Sequence, residues 1–411
     1  MYKLAGEKYK DDVIKIWKYC FSDTDDYVTH YFDKKYNGDR VVIYTKNKTE
    51  KCDAQSKTSQ NEEPIQKNDM AVAAISLNDH NISIGKNVIR CPYVVGVSTL
   101  PEARGGGIMK NLMNDILKRM YEDKNPISIL MPIDFRLYTK FGYTNCYDMM
   151  NVSLDIFDLK KFKLRGEFCK AEKNSVSDLL QIYRSSMKKY NGYSLRDDVY
   201  YNDFIEEMSI ENGYIYINYE NNIPTGYIAY TITDNVMYIR EIYSTNIRSY
   251  KSLLKFIFNH NTQVKKVNIL TVIDDVLMDI LDNPKDAKFE IKPFMMARII
   301  NLEELTKQLK LETDLDEEIL VSIIDDNIEN NNGIYRIYSQ NNLLSITKVD
   351  NVKQDLDCMD LISIEELTKV IMGYKTVEEI DYMREENFKN PKLLKKAFER
   401  LKSVNHINEY V

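Results

Sequence analysis

Val94-Val95-Gly96-Val97-Ser98-Thr99-Leu100-Pro101-Glu102-Ala103-Arg104-Gly105-Gly106-Gly107-Ile108-Met109-Lys110 is the stretch that decides how this chain folds. An apolar run ends at Thr99, a proline turn follows, and three glycines lead into a segment whose apolar residues recur at Ile108, Leu112, Ile116 and Met120, flanked by Met109, Met113 and Leu117. That spacing predicts an amphipathic helix over residues 105–121, with Lys110, Asn114, Lys118 and Arg119 on its outer face. A strand, a glycine turn and a helix start in succession can cradle an anion. Glycines let backbone N–H groups approach closely, and the helix start carries about half a positive charge. Three glycines alone equally suit a surface turn without a ligand. No Lys-Ser or Lys-Thr follows as in a P-loop, and no third glycine falls where a dinucleotide fingerprint places it, so both of those phosphate binders are disfavoured.

Upstream, the pattern predicts helices over residues 9–21 and 25–36, a strand over 40–44, and strands over 70–77 and 88–99. Residues 45–69 are rich in Lys, Asn, Gln, Ser and Glu and read as a mobile loop joining two strands. Downstream, a strand over 127–131, a short helix near 135–140 and a strand from Tyr143 complete the unit. A weaker version of the same order follows: a helix over 177–189, strands over 213–219, 225–233 and 236–243, a helix over 247–258, a strand over 266–272 and a helix over 274–281. We read an internal duplication. A third, smaller region opens at Met295-Met296-Ala297-Arg298-Ile299-Ile300. Its helix starts are marked by the capping boxes Ser363/Glu366 and Thr376/Glu379 and by Asn390-Pro391, and residues 403–411 form a tail. The fold class is therefore mixed α+β, divided as residues 1–150, 151–293 and 294–411.

The second informative stretch is Leu130-Met131-Pro132-Ile133-Asp134-Phe135-Arg136-Leu137-Tyr138-Thr139-Lys140-Phe141-Gly142-Tyr143. With 30 tyrosines in the chain, any one of them is structural by default. Tyr138 stands out by its place after the glycine helix and the following strand, whereas Tyr143 reads as a core residue. A phenol of pKa about 10 held close to a departing thiolate of about 8.5 can return a proton to it.

Arg104-x-x-Gly107 at the strand-to-helix junction resembles the coenzyme A signature R/Q-x-x-G-x-G/A of the GNAT acetyltransferases, with Met109 in place of the usual final small residue. Tyr-x-Lys-Phe-Gly-Tyr is similar to the segment where those enzymes place a general acid. Taken with the three-part layout and the ending Asn408-Glu409-Tyr410-Val411, the chain resembles the enhanced-intracellular-survival type acetyltransferases. The resemblance implies two tandem GNAT-fold domains, the first catalytic and the second degenerate, followed by a sterol-carrier-like domain. It implies acetyl-coenzyme A as cosubstrate and no metal. It also implies a small-molecule or lysine amine as acceptor, and a homo-oligomer, a hexamer in that family. Cofactor contacts would come from the backbone of Val97, Ser98 and Thr99 along the pantetheine arm, from Gly105, Gly106, Gly107, Ile108, Met109 and Lys110 at the pyrophosphate, and from Ile133 and Asp134. Arg104 is either a phosphate contact or a solvated turn cation. Tyr138 would be the general acid.

The resemblance also implies that the Val411 carboxylate is the catalytic base, against the ordinary expectation of a frayed chain end. A carboxylate near 3.5 facing an ammonium near 10 is mismatched by about 9 kcal/mol. Such a group orients the amine or acts through water rather than taking the proton directly. In the second unit, Tyr243-Ser244-Thr245-Asn246-Ile247-Arg248-Ser249 carries no glycine where the first has three, so that unit is assigned a structural or substrate-pocket role.

Charge and composition set outer limits. A net charge of −7 argues against nucleic acid and suits a cationic acceptor. Neither a signal-peptide core nor a membrane-spanning apolar run is present, so a cytoplasmic location and no membrane partner are expected. The six cysteines, Cys20, Cys52, Cys91, Cys146, Cys169 and Cys358, include no C-x-x-C and read as reduced, mostly buried thiols; the four scattered histidines form no metal-ligand spacing. Two functions follow. One is an N-acetyltransferase in which the amine attacks the thioester directly; the other is a non-catalytic coenzyme A- or lipid-binding scaffold on the same fold.

Overall fold

The computed structural model describes residues 1–47, 69–313, 315–349, 359–398 and 403–410. Two compact units emerge, one of residues 1–79 with 92–124 and the other of residues 80–91 with 125–411.

In the first unit the strands Tyr2–Leu4, Val41–Asn47, Asp69–Asn78 and Tyr93–Thr99 lie side by side in that order, each antiparallel to the next. The strands flanking the polar insert reach Asn47 on one side and start at Asp69 on the other, so the expected loop is shorter at both ends; its residues 48–68 and Cys52 lie outside the described residues. Helix Lys10–Cys20 buries Val13, Ile16 and Trp17 against the sheet. Helix Asp25–Lys34, whose start is capped by Thr24 Oγ1 accepting from the Tyr27 N–H, stacks Tyr31 on the Trp17 ring. Helix Ile108–Glu122 packs on the sheet through Ile108, Leu112, Met113, Ile116, Leu117 and Met120, the face the periodicity predicts. It begins at Ile108, three residues later than expected, because Gly105 and Gly107 take left-handed φ values of 83° and 72° that no helix contains.

The expected strand over 88–99 is two strands. Pro92 has no N–H to give a ladder, and Asn87–Arg90 pairs instead with Asn81–Ile84 in a hairpin turned at Gly85 and Lys86, both at positive φ. In the second unit this hairpin and Tyr193–Ser194 make a three-stranded sheet.

The main sheet of the second unit runs Ile127–Leu130, Lys288–Ile299, Thr144–Asp155, Lys266–Thr271, Val236–Ser244, Ile223–Thr233, Tyr214–Glu220 and Glu167–Lys170. Two expectations change here. Met295–Ile300 does not open a third region: Met295–Ile299 closes the 12-residue strand Lys288–Ile299, inserted between Ile127–Leu130 and Thr144–Asp155. The strand expected from Tyr143 starts at Thr144, runs on to Asp155 and pairs with Lys266–Thr271. Met150, Val152 and Leu154 accordingly share one core with Ile239, Leu253 and Ile269. The boundaries at 150 and 293 therefore fall inside strands. The last strand of each half completes the sheet of the other.

Helices Val176–Met187 and Asp198–Ile210 cover one core of this sheet, built on Leu179, Ile182, Tyr201, Phe204, Ile217 and Tyr227. The second of these helices has no clear apolar period and escapes a sequence reading. Beyond Ile300, a four-stranded sheet runs Leu343–Val349, Gly333–Gln340, Ile319–Ile324 and Asp360–Ser363, with helices Leu302–Gln308, Ile364–Ile371, Val377–Met383 and Pro391–Phe398. Both expected capping boxes form, at Ser363/Glu366 and Thr376/Glu379. Among the described residues no helix is long and apolar enough to cross a membrane.

Candidate active site

The cradle is built by a bulge, a turn and a bare helix end. Strand Tyr93–Thr99 pairs Val95 with Ser76 and Ser98 with Ala74, leaving Gly96 and Val97 together opposite Ile75. Gly96 sits at φ 61°, and a Cβ there would overlap the Trp17 ring, so only glycine forms this bulge. Ser98 Oγ donates to the Gly96 carbonyl at 3.0 Å and fixes the kink. Sequence reasoning passed over Gly96; its signal was a glycine inside an otherwise apolar strand.

After Thr99, a short 3₁₀ turn at Pro101–Ala103 is anchored by buried Ala103. Arg104 Nε donates to the Thr99 carbonyl at 3.0 Å while the side chain stays exposed, so one donor braces the turn and the outer guanidinium faces solvent. A Cβ at Gly105, Gly106 or Gly107 would meet nothing within 4 Å. Space over the turn is thus open to a ligand. The helix start at Gly107 has no side-chain cap and no acidic residue in its first turn. The N–H groups of Ile108, Met109 and Lys110 precede the first helical hydrogen bond, from Asn111 to the Gly107 carbonyl, and have no backbone acceptor among the described residues.

Ile133, Asp134 and Tyr138 belong to the second unit. Ile133 is exposed, and the Asp134 carboxylate is held by Arg136 at 2.6 Å, which keeps it below the usual carboxylate range. Tyr138 lies on the single-turn helix Arg136–Thr139 and is 4% exposed; burial pushes its phenol up to about 12. The phenol therefore keeps its proton across the neutral range.

The remainder of the Tyr-x-Lys-Phe-Gly-Tyr stretch serves packing. Gly142 is at φ 74°, and a Cβ there would overlap the guanidinium of Arg298, which donates to the Phe141 carbonyl. Arg298 is fully buried and paired to Asp325 at 2.7 and 2.8 Å. Tyr143 is fully buried as expected, and its hydroxyl donates to Ser128 at 2.9 Å. Arg298 and Asp325 were not singled out by sequence; a lone arginine in the apolar run Met295–Ile300 was the available sign of a buried pair.

The tail is not frayed over its described part. Asn405, His406, Ile407, Asn408 and Glu409 are buried. Asn191 donates its N–H to the Val404 carbonyl, Asn405 Nδ2 donates to Cys146 at 2.9 Å, and Glu409 accepts from Arg196 Nε at 2.9 Å. Arg196 also binds Glu241 at 2.6 Å, with both side chains 1% exposed. Val411 lies outside the described residues, as does Cys358. Cys91 and Cys146 are buried, Cys20 is half-buried, and Cys169 is exposed against expectation because Glu167–Lys170 is the last strand of its sheet.

In the second half, the helix at the corresponding position carries a side-chain cap. Asn246 Oδ1 accepts from the Ser249 N–H at 2.9 Å and caps Ile247–Phe258. One of the donors that the first helix leaves uncapped is here met by a side chain.

Comparison with known proteins agrees with this duplicated strand, turn and helix. Residues 1–146 match a family model described as an acetyltransferase (GNAT) domain, and residues 192–299 match a second model of the same description. The second match ends where the strand Lys288–Ile299 ends. No curated protein matches the sequence. Among solved structures, a probable N-acyltransferase of Enterococcus faecalis superposes over 100% of this chain and 99% of its own, with a TM-score of 0.83 at 17% identity. A GCN5-related N-acetyltransferase of Anabaena variabilis covers 100% of both chains at TM-score 0.77 and 16% identity. Eis1 of Mycobacterium abscessus covers 100% of both at 0.71 and 11%. The chain therefore carries two tandem GNAT acetyltransferase domains and is an enzyme of the acetyltransferase class.

Proposed function

We propose that the chain transfers the acetyl group of acetyl-coenzyme A to a primary amine, of aminoglycoside, polyamine or lysine type, by direct attack of the amine on the thioester. The observation that carries this reading is the uncapped start of helix Ile108–Glu122 behind three open glycines, set against the self-capped start of helix Ile247–Phe258. One domain leaves its helix start without a side-chain cap, and its duplicate caps the Ser249 N–H with Asn246. Gly105 to Lys110 would hold the pyrophosphate, with Arg104 beside it. The bulge at Gly96 would turn the backbone of Val97 to Thr99 toward the pantetheine arm, and Ile133 and Asp134 would complete the contacts. Tyr138 would protonate the departing thiolate, the attacking nitrogen losing its proton to a base. The Val411 carboxylate is proposed to orient the ammonium or relay that proton through water. The region after Ile300 is proposed as the sterol-carrier-like domain, in a cytoplasmic homo-oligomer.

Gly106 offers the cleanest test, because its φ is not in the left-handed region and a side chain there meets no protein atom. Gly106→Glu places a carboxylate at the helix start and is expected to abolish acetyl-coenzyme A binding in a calorimetric titration, with thermal stability unchanged; Gly106→Ala is expected to bind. Equal affinity in Gly106→Glu and the parent would remove the cradle. Thiol release over a panel of amines then separates an enzyme from a scaffold that merely binds coenzyme A.

A further inference from the structure

The bulge in strand Tyr93–Thr99 is shaped from outside the strand. A bulge by itself asks for no glycine. Strand Val236–Ser244 has one at Arg240, the extra residue between Ile239 opposite Tyr230 and Glu241 opposite Ala229, and Arg240 takes no left-handed φ. Gly96 does take one, at 61°, and a Cβ there would stand 2.5 Å from Cζ3 and 3.0 Å from Cε3 of Trp17. The indole thus occupies the place where any other residue would put its side chain.

That ring is held on three sides. Trp17 is 4% exposed and stacks on Tyr31 with centroids 4.6 Å apart, while Phe32 meets it edge-on at 5.6 Å. Tyr31 in turn donates its hydroxyl to Asn78 Oδ1 at 3.0 Å, and Asn78 pairs with Tyr93 at the start of the bulged strand. The indole Nε1 donates at 2.8 Å to the carboxylate of Asp23, an exposed residue between helices Lys10–Cys20 and Asp25–Lys34. Nearly one helical turn past Trp17, Cys20 Sγ donates to the Thr99 carbonyl at 3.8 Å. The helix therefore grips the strand twice, at the bulge and at its last residue.

From the bulge onward the strand opens. Tyr93, Val94 and Val95 are buried, whereas Gly96, Val97 and Thr99 are half-buried. A tryptophan packed on side chains contributes stability alone. One packed on a backbone kink sets the course of the chain beyond it, because an extra residue in a strand displaces every later one.

We propose that Trp17, oriented by Asp23, is a positioning residue for acetyl transfer: its ring fixes the bulge at Gly96 and Val97, and with it the place of the thioester at the end of the pantetheine arm. The glycine turn anchors the pyrophosphate separately, so the ring governs turnover rather than affinity. This role rests on the coenzyme reading of the cradle.

Trp17 is the one tryptophan of the chain, so its fluorescence reports on the bulge directly. Acetyl-coenzyme A titrated into the full chain is expected to change that emission in step with binding measured by calorimetry, an arm that needs no amine. Turnover is then measured with an amine taken from the thiol-release panel. Asp23→Ala leaves the indole N–H without its acceptor and is expected to lower kcat at least about tenfold, since misplacing reacting groups by about 1 Å costs about 10²-fold. Acetyl-coenzyme A affinity and melting temperature are expected to stay at parental values. Asp23→Asn keeps an acceptor oxygen and is expected to restore kcat. Trp17→Phe removes both the N–H and the ring edge at Gly96 and is expected to reproduce the loss; if it fails to fold, the Asp23 pair decides. Parental kcat in Asp23→Ala overturns the proposal and leaves the cradle standing. Equal losses in Asp23→Ala and Asp23→Asn overturn it too, because turnover then needs the charge of the carboxylate and not the ring. An emission unmoved by bound acetyl-coenzyme A does the same. Parental affinity in Gly106→Glu removes the cradle instead, a result that calorimetry reads by itself.

Discussion

Tyr138 and His406 show how burial alone sets what a side chain can do. Tyr138, with its phenol pushed up to about 12 by burial, stays protonated across the neutral range. Tyr138→Phe removes one proton donor and little packing, so turnover is expected to fall by about 10²–10⁴-fold with the acetyl-coenzyme A affinity preserved. Steady-state kinetics beside a binding titration read the two apart, and near-normal turnover would move the acid elsewhere. His406 is pulled the other way, to about 3, first by burial and then by the charges of Arg196 and Lys189. An unfolded histidine titrates near 6.5. As pH falls below that value the unfolded chain takes up a proton that the folded chain refuses. Its contribution to stability is therefore complete above about pH 6.5 and is lost as pH falls toward 3. The melting temperature is expected to drop more steeply between neutral and mildly acid pH in the parent than in His406→Gln. Parallel curves would show that the imidazole is already solvated.

The two corresponding helix starts carry opposite instructions at the level of the element. Asn246 caps its helix and Gly107 leaves its own open. Asn246→Ala is expected to cost about 1 kcal/mol of stability in urea unfolding and to leave acetyl-coenzyme A affinity unchanged. A gain of coenzyme affinity in that variant would mean that the cap alone had closed the second site. The first start was legible as Gly-Gly-Gly before an amphipathic run; the second was read only as lacking those glycines, and its Asn246 cap came from the structure. The bulges were less legible. Gly96 could be noticed as a glycine in a strand, but Arg240 has an ordinary residue type, and its bulge comes from the register of the neighbouring strand.

The strand exchange and the clamped tail belong to the whole molecule. A fragment of residues 1–150 contains the first family match yet loses Lys288–Ile299, the partner of both Ile127–Leu130 and Thr144–Asp155. It is expected to aggregate or to melt without a cooperative transition, because bare strand edges recruit other chains. A cooperative melt at the temperature of the full chain would show that the exchange is dispensable. Arg196 holds Glu241 and Glu409 in a buried triad. Replacing it by methionine leaves two buried carboxylates without a cation, with an expected loss of about 3–5 kcal/mol in urea unfolding. A loss below about 1 kcal/mol would mean that water reaches the triad.

Sequence by itself determined what depends on neighbours along the chain. The face of helix Ile108–Glu122 follows from a period of 3.6, the capping boxes from residues three apart, and the glycine turn from the absence of side chains. These were enough to place an amphipathic helix behind a glycine turn, and the resemblance of that stretch to the GNAT enzymes supplied the reading with which the two GNAT domain matches agree. Tertiary structure alone decided what depends on residues far apart. A strand's partner is chosen by register and burial and leaves no local mark, so the insertion of Lys288–Ile299 and the run of Thr144–Asp155 into the second core could not be read. Gly142 needs its small size because Arg298, more than 150 positions on, passes over it. Likewise the tail's residues look like any polar chain end until Asn191, Arg196 and Arg240 are seen to bind them. Only the folded chain brings those partners within hydrogen-bonding distance.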